Sequence, residues 1–157
     1  MENKKICAIA GENPDELQFG YDEEYYGCAL MKYRLVSAMQ DAIASGYSEF
    51  MSTLDQGVAM WGAEACLAIK AMGTDVCLTA VPTSELQAAR WHPERRERYY
   101  SLLENADRVI ETRGEDYGEG CLLNEAGQLI VVGDPSIPRL ADLIERAKSQ
   151  GIAVQIV

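Results

Sequence analysis

Short apolar runs alternate along the chain with longer segments whose apolar residues recur every three or four positions, a pattern that predicts strands interleaved with helices. Ile6-Cys7-Ala8-Ile9-Ala10, closed by Gly11, is apolar on both faces and suits a strand buried on both sides. A polar loop with Pro14 and Gly20 leads into a helix predicted over Asp22 to Ser45, where Cys28, Met31, Leu35, Met39 and Ile43 share a face and Gly46 ends it. A strand over Tyr47 to Ser52, a helix over Val58 to Ala71 and a strand over Asp75 to Val81, stopped by Pro82, follow. Pro93 opens a helix that runs to Asn105, and Asp107 to Thr112 reads as the fourth strand. Arg113 to Gly120, rich in glycines and acids, reads as a mobile or ligand-facing loop. Gln128 to Val132 is a fifth strand, Pro138 to Ser149 a helix with Leu140, Leu143, Ile144 and Ala147 on one face, and Ile152 to Val157 a last strand.

Strands alternating with helices imply right-handed crossovers and a mostly parallel sheet of about six strands with helices on both faces. The predicted fold class is α/β, Rossmann-like and doubly wound, as a single domain over residues 1–157. In such sheets ligands lie beyond the carboxyl ends of the strands, where strand order reverses. Gly11 to Pro14, Ser52 to Gly57, Pro82 to Trp91 and Gly133 to Ser136 are therefore expected to converge. The junction from Glu49 to Glu64 is the most informative of these, because a strand that passes through a tight turn into a helix aims backbone N–H groups and a helix N-terminus at one point suited to an anion.

Composition narrows the partners. Lys and Arg total 14 against 25 Asp and Glu, a net charge of −11, which repels polyanions and disfavours nucleic acid and anionic membranes. The basic cluster from Arg90 to Arg98 is interleaved with Glu94 and Glu97 and reads as a solvated helix face with local ion pairs. Cys7, Cys28, Cys66, Cys77 and Cys121 form no C-x-x-C pair and read as buried free thiols in a reducing compartment. The first apolar run, Ile6 to Ala10, is too short for a signal h-region, and no apolar run approaches about 18 residues, so a cytoplasmic location is expected. No cofactor or resident metal is expected; a homo-oligomer is compatible with the sequence.

Several candidate residues carry two readings each. Ser52, Thr53, Asp55, Gln56 and Gly57 either present hydroxyls, an amide and N–H groups to a ligand, or Asp55 or a neighbour caps the helix with Gly57 there only for the turn. Glu64 is either a general base or ribose contact in the cleft or an ordinary helix ion pair. Trp91 either stacks on a base beside Arg90 or packs over the following helix. His92, the sole histidine, reads as structural. Glu111, Glu115, Asp116 and Glu119 match no calcium-loop spacing and read as a solvated acidic loop.

In order, the loops resemble the YpsA-type branch of the SLOG superfamily, Rossmann-like proteins related to DprA/Smf and to the LOG phosphoribohydrolases. The resemblance rests on Gly11-Glu12-Asn13-Pro14 with Leu17 and Gly20-Tyr21, on Ser52-Thr53-Leu54-Asp55-Gln56-Gly57-Val58-Ala59-Met60-Trp61-Gly62-Ala63-Glu64, on Ala80-Val81-Pro82 with Gln87-Ala88, Arg90-Trp91 and Arg96-Glu97-Arg98-Tyr99, and on Ala106-Asp107 with Tyr117. It covers nearly the whole chain. The departures fall at the phosphate site: Glu12-Asn13 replaces His-Arg, Thr53 a glycine, Ala59 an aspartate, and Asp134-Pro135-Ser136-Ile137-Pro138 stands where the family carries Gly-Gly-Thr. The resemblance implies a nucleotide or nucleotide-derived ligand held by Gly11, Glu12, Asn13, Ser52, Thr53, Asp55, Gln56, Gly57, Glu64, Arg90, Trp91, Asp134 and Ser136, with a phosphate cradle weakened or rebuilt. A non-catalytic binding protein is the preferred reading. The alternatives are a LOG-like hydrolase of a nucleoside monophosphate's glycosidic bond, with Glu64 catalytic, and a scaffold whose decayed pocket leaves a surface for a protein partner or another copy.

Overall fold

A computed structural model describes residues 5–84, 86–111 and 119–157. Its elements are β1 (Ile6–Gly11), α1 (Tyr26–Ala44), β2 (Glu49–Ser52), α2 (Val58–Ala71), β3 (Cys77–Ala80), α3 (Pro93–Asn105), β4 (Arg108–Val109), a 3-10 helix (Glu119–Asn124), β5 (Gln128–Val132), α4 (Pro138–Ser149) and β6 (Ala153–Ile156). Among the described residues the strands form one six-stranded sheet in the order β4-β3-β2-β1-β5-β6. Every neighbouring pair is parallel; Ala8, for example, lies between Met51 and Leu129.

Successive residues of a strand point to opposite faces, so a strand apolar throughout serves two cores. Cys7 and Ile9 join Phe50, Leu78 and Ile130 under α1, α2 and α3, where Leu35, Met39, Met60, Trp61 and Leu102 pack. Ala8 and Ala10 join Met51, Leu129 and Val131 on the other face, under Leu122 of the 3-10 helix and Leu140, Leu143 and Ile144 of α4. The Rossmann-like α/β architecture read from the sequence is therefore the one observed. No helix among the described residues is long and apolar enough to cross a membrane.

The bounds of α2, α3, β5 and α4 match the expected ones. α1 begins at Tyr26, later than expected, because the Asp22 carboxylate accepts the Glu24 N–H (3.1 Å) and Tyr25 N donates to Asp22 O (3.2 Å), a local turn that competes with the helix. β2, β3, β4 and β6 are each shorter than expected. Most of the loop expected over Arg113 to Gly120, and with it Glu115 and Asp116, lies outside the described residues, whereas Glu119 and Gly120 open the 3-10 helix that buries Cys121, Leu122 and Leu123. Cys77 corrects the expectation of buried thiols: it is exposed at the first position of β3, while the other four cysteines are buried. Burial pushes the Cys7 and Cys66 thiols up to about 12.

Candidate functional site

Strand order reverses between β1 and β5, so the turns that leave their carboxyl ends diverge to opposite faces and open a crevice. Glu12 ties the three turns around it together. Its N–H donates to Val132 O (3.3 Å), its carbonyl accepts from Val58 N at the start of α2 (3.2 Å), and its carboxylate accepts from Asp134 N (3.2 Å). Two glycines make this approach possible. Gly57 sits at φ +95° with the Glu12 carbonyl and the Asn13 Cα against the place of a Cβ, and Gly133 sits at φ +124° with the Glu12 side chain in that place. Gly11, Glu12, Asn13, Gly57 and Asp134, singled out from sequence, thus meet at one point.

The β2–α2 turn spends most of its polar groups on itself. Ser52 Oγ donates to Ala59 O (2.6 Å) and accepts from Leu54 N (3.0 Å), Thr53 Oγ1 accepts from Asp55 N (3.4 Å), and Asp55 Oδ1 accepts from Gln56 N (2.9 Å). The fully buried Leu54 is held at φ +63°, a conformation disfavoured for a side chain of its size. Asp55 does not cap α2, contrary to one of the two readings of this turn; Gly57 is the N-cap and no side chain caps the helix. Ser52 and Thr53 are buried. Gln56 Oε1 and, within α2, Trp61 Nε1 are buried without a hydrogen-bond partner among the described residues.

On the α4 face of the same strand ends, Arg139 in the first turn of α4 donates to Gly11 O (2.7 Å), to Glu16 Oε1 (2.6 Å) and to Glu119. Sequence reasoning missed Arg139 and Glu16. A signal existed: a cation in a helix's first turn opposes the macrodipole and therefore needs anionic company. Burial pushes the carboxyls of Glu12, Asp55 and Glu119 above their ordinary range; in each case Arg139 pulls the other way and neighbouring carboxylates add to the rise. Burial acts in the same sense on Glu16, but hydrogen bonds from Arg139 and Asn13 N–H outweigh it and hold Glu16 low. The hydroxyl and N–H of Ser136 hold Asp134 low and close the turn before α4. The crevice is thus acid-rich, and its best-placed cation is already engaged.

A cavity of about 200 Å³ opens on the α1 face between Glu12, Met31, Arg34, Val132, Gly133, Asp134 and Val157. Ligand pockets commonly exceed about 300 Å³, so this one has room for no more than a single small moiety. Arg34 on its wall was also not anticipated.

Other expected contacts lie elsewhere. Arg90 and Trp91 follow β3, two strands from β1, and Trp91 packs edge-on against Tyr99 (5.4 Å between ring centres). Gln87 fastens that loop to the β2 turn by donating to Thr53 O (3.0 Å) and accepting from Thr83 N (2.7 Å). The Glu64 carboxylate is gripped by Arg98 (2.7 and 3.2 Å), which also donates to Glu23 (2.6 Å). Arg95 and Lys32 complete this cluster on Glu23, so the basic segment of α3 pairs with a distant loop instead of with Glu94 and Glu97. His92 caps α3, its Nδ1 accepting from Glu94 N (3.4 Å).

A six-stranded parallel sheet with helices on both faces and a crevice at its switch point defines a Rossmann-like protein. The model of the YspA SLOG family matches residues 7–149, nearly the whole chain, and the chain belongs to that family. No curated protein matches it.

Proposed function

We propose that the protein is a non-catalytic binding protein that takes a nucleotide or nucleotide-derived ligand in the crevice between β1 and β5. The observation that carries this reading is the meeting of the turns after β1, β2 and β5 around Glu12, beside a cavity sized for one moiety. Family membership supports the ligand class only at the level of the superfamily. The acids at the strand ends, Glu12 and Asp134 on the cavity wall with Glu16, Asp55 and Glu119 nearby, outnumber the one cation on that wall, Arg34, while Arg139 is engaged by Glu16 and Glu119, which favours ligands with little negative charge, nucleosides ahead of triphosphates. The engagement of Glu64 by Arg98 supports a structural role for that acid over glycosidic-bond hydrolysis. A ligand that binds only the native state raises stability by RT ln(1 + [L]/Kd). The melting temperature is therefore expected to rise by a few degrees with a nucleoside or nucleotide at millimolar concentration, with no free base released from AMP. A flat response across the panel, or steady release of base, contradicts the reading.

A further inference from the structure

The cavity on the α1 face carries acceptors from one set of elements and donors from another. Glu12 and Asp134 reach its wall from the turns after β1 and β5, Arg34 reaches it from α1, and Met31, Val132 and Val157 supply the apolar remainder. Met31 and Arg34, one turn apart on α1, share a face of that helix. The polar groups have capacity to spare. An ionised carboxylate only accepts, at about four lone-pair sites. Glu12 Oε2 takes one bond, from Asp134 N (3.2 Å), and Oε1 takes none among the described residues. Asp134 Oδ1 takes the Ser136 N–H (2.9 Å) and hydroxyl (2.6 Å), and its Oδ2 likewise takes none. The Arg34 guanidinium, which only donates, has no hydrogen bond or ion pair among the described residues.

We propose that this cavity is the base subsite of the crevice and that it selects guanine, with Glu12 and Asp134 accepting from N1–H and the N2 amino group while Arg34 donates to O6 and N7. The assignment rests on the nucleoside reading of the crevice and adds the identity of the base. An apolar cavity of about 150 Å³ holds benzene, so one of about 200 Å³ that opens at the surface takes the edge of a flat base with its sugar left outside. The order of donors and acceptors along that edge decides which base. Guanine presents two adjacent donors, N2–H and N1–H, followed by two adjacent acceptors, O6 and N7, which match acids on one part of a wall and an arginine on another. Adenine alternates acceptor, donor and acceptor, so its N1 lone pair meets a carboxylate and its amino group meets the guanidinium. Cytosine offers a single amino group to two acids and leaves one of them unsatisfied. Met31 adds a polarizable sulfur suited to contact with an aromatic ring.

Calorimetric titration of the full chain with guanosine, inosine, cytidine and adenosine tests this. Guanosine is expected to bind tightest. Inosine, which keeps N1–H, O6 and N7 but lacks the N2 amino group, is expected to bind about tenfold more weakly, because one hydrogen bond to a charged acceptor is forfeited. Cytidine and adenosine are expected to be weaker still. Arg34→Met is expected to weaken guanosine binding about tenfold with the ligand-free melting temperature unchanged, since the guanidinium holds nothing else among the described residues. Glu12→Gln keeps an oxygen for Asp134 N but turns an amino group toward guanine's donors, and is expected to erase the preference for guanosine over adenosine. Arg90→Met, which removes a cation from the loop after β3, is expected to leave guanosine binding as it is. Adenosine, cytidine or inosine binding as tightly as guanosine, full guanosine affinity in Arg34→Met, or an equal loss in Arg90→Met overturns the guanine assignment and leaves the crevice a nucleoside site. Absence of saturable binding by every nucleoside overturns both.

Discussion

Single residues at the crevice carry constraints that substitution exposes. Gly57 has no room for a Cβ, which would press into the Glu12 carbonyl at a φ that L side chains rarely adopt. Gly57→Ala is expected to cost about 3 kcal/mol and to lower the melting temperature by roughly 10 °C, measured by calorimetry. Ala at exposed Gly73, also at positive φ but with nothing near its Cβ position, is the comparison that isolates steric contact from backbone strain. The buried acids set a pH dependence. Glu12, Asp55 and Glu119 have folded pKa values above the unfolded ones, so the folded state holds their protons more tightly and loses stability as pH rises from the ordinary carboxyl range upward. The contribution of these acids is expected to fall as pH rises out of the ordinary carboxyl range, and Asp55→Asn to reduce that fall in melting temperature; a fall that survives the substitution unchanged speaks against Asp55 as a source. Gly11, Gly57, Glu12 and Asp134 of this site were visible in the sequence; the place of Arg139 in a helix's first turn hinted at anionic company, but its partner Glu16 was not visible, because it lies 123 positions away and no local pattern joins them.

Elements were legible where punctuation is strong. Pro93 and Pro138 supply the fixed φ of a first helical turn, and Gly57 supplies the break before α2, so those three helices start where sequence places them. The start of α1 was not legible, since helical periodicity continues through Asp22 to Tyr25 and only the Asp22 side chain, folded back onto Glu24 N–H, decides the matter. Glu23, just beyond, anchors this pre-helical loop by accepting from Lys32, Arg95 and Arg98. Burial pushes its carboxyl up, but the hydrogen bonds and charges of Arg98 and Lys32 prevail and bring it down to about 2. A depressed acid contributes stability that is present in full above the ordinary value of 4.5 and is lost as pH falls toward about 2. Glu23→Gln is therefore expected to destabilise the protein by about 1 to 2 kcal/mol at pH 6 in urea titrations and by almost nothing near pH 2. Equal losses at both pH values contradict the pairing.

At the scale of the whole molecule, the parallel sheet explains why one end is the functional end. Strands β2, β1 and β5 deliver their following turns to the same edge, and the reversal between β1 and β5 keeps helices from sealing it. Alternation of short apolar runs with helical periods made the fold class readable, because parallel strands buried on both faces leave an unmistakable composition. The order of strands was not read from the sequence, whereas three of the four loops expected at the crevice meet there; Arg90 and Trp91 instead follow a strand whose carboxyl end points the right way but lies two places from the switch point. The most direct measurement is a titration of ¹⁵N-labelled protein with nucleosides and nucleotides, followed by amide chemical shifts. The account predicts saturable shifts centred on Gly11, Glu12, Gly57, Gly133 and Asp134, larger for nucleosides than for triphosphates. Shifts that leave these five amides unmoved while others respond, or no shift at millimolar ligand, contradict it.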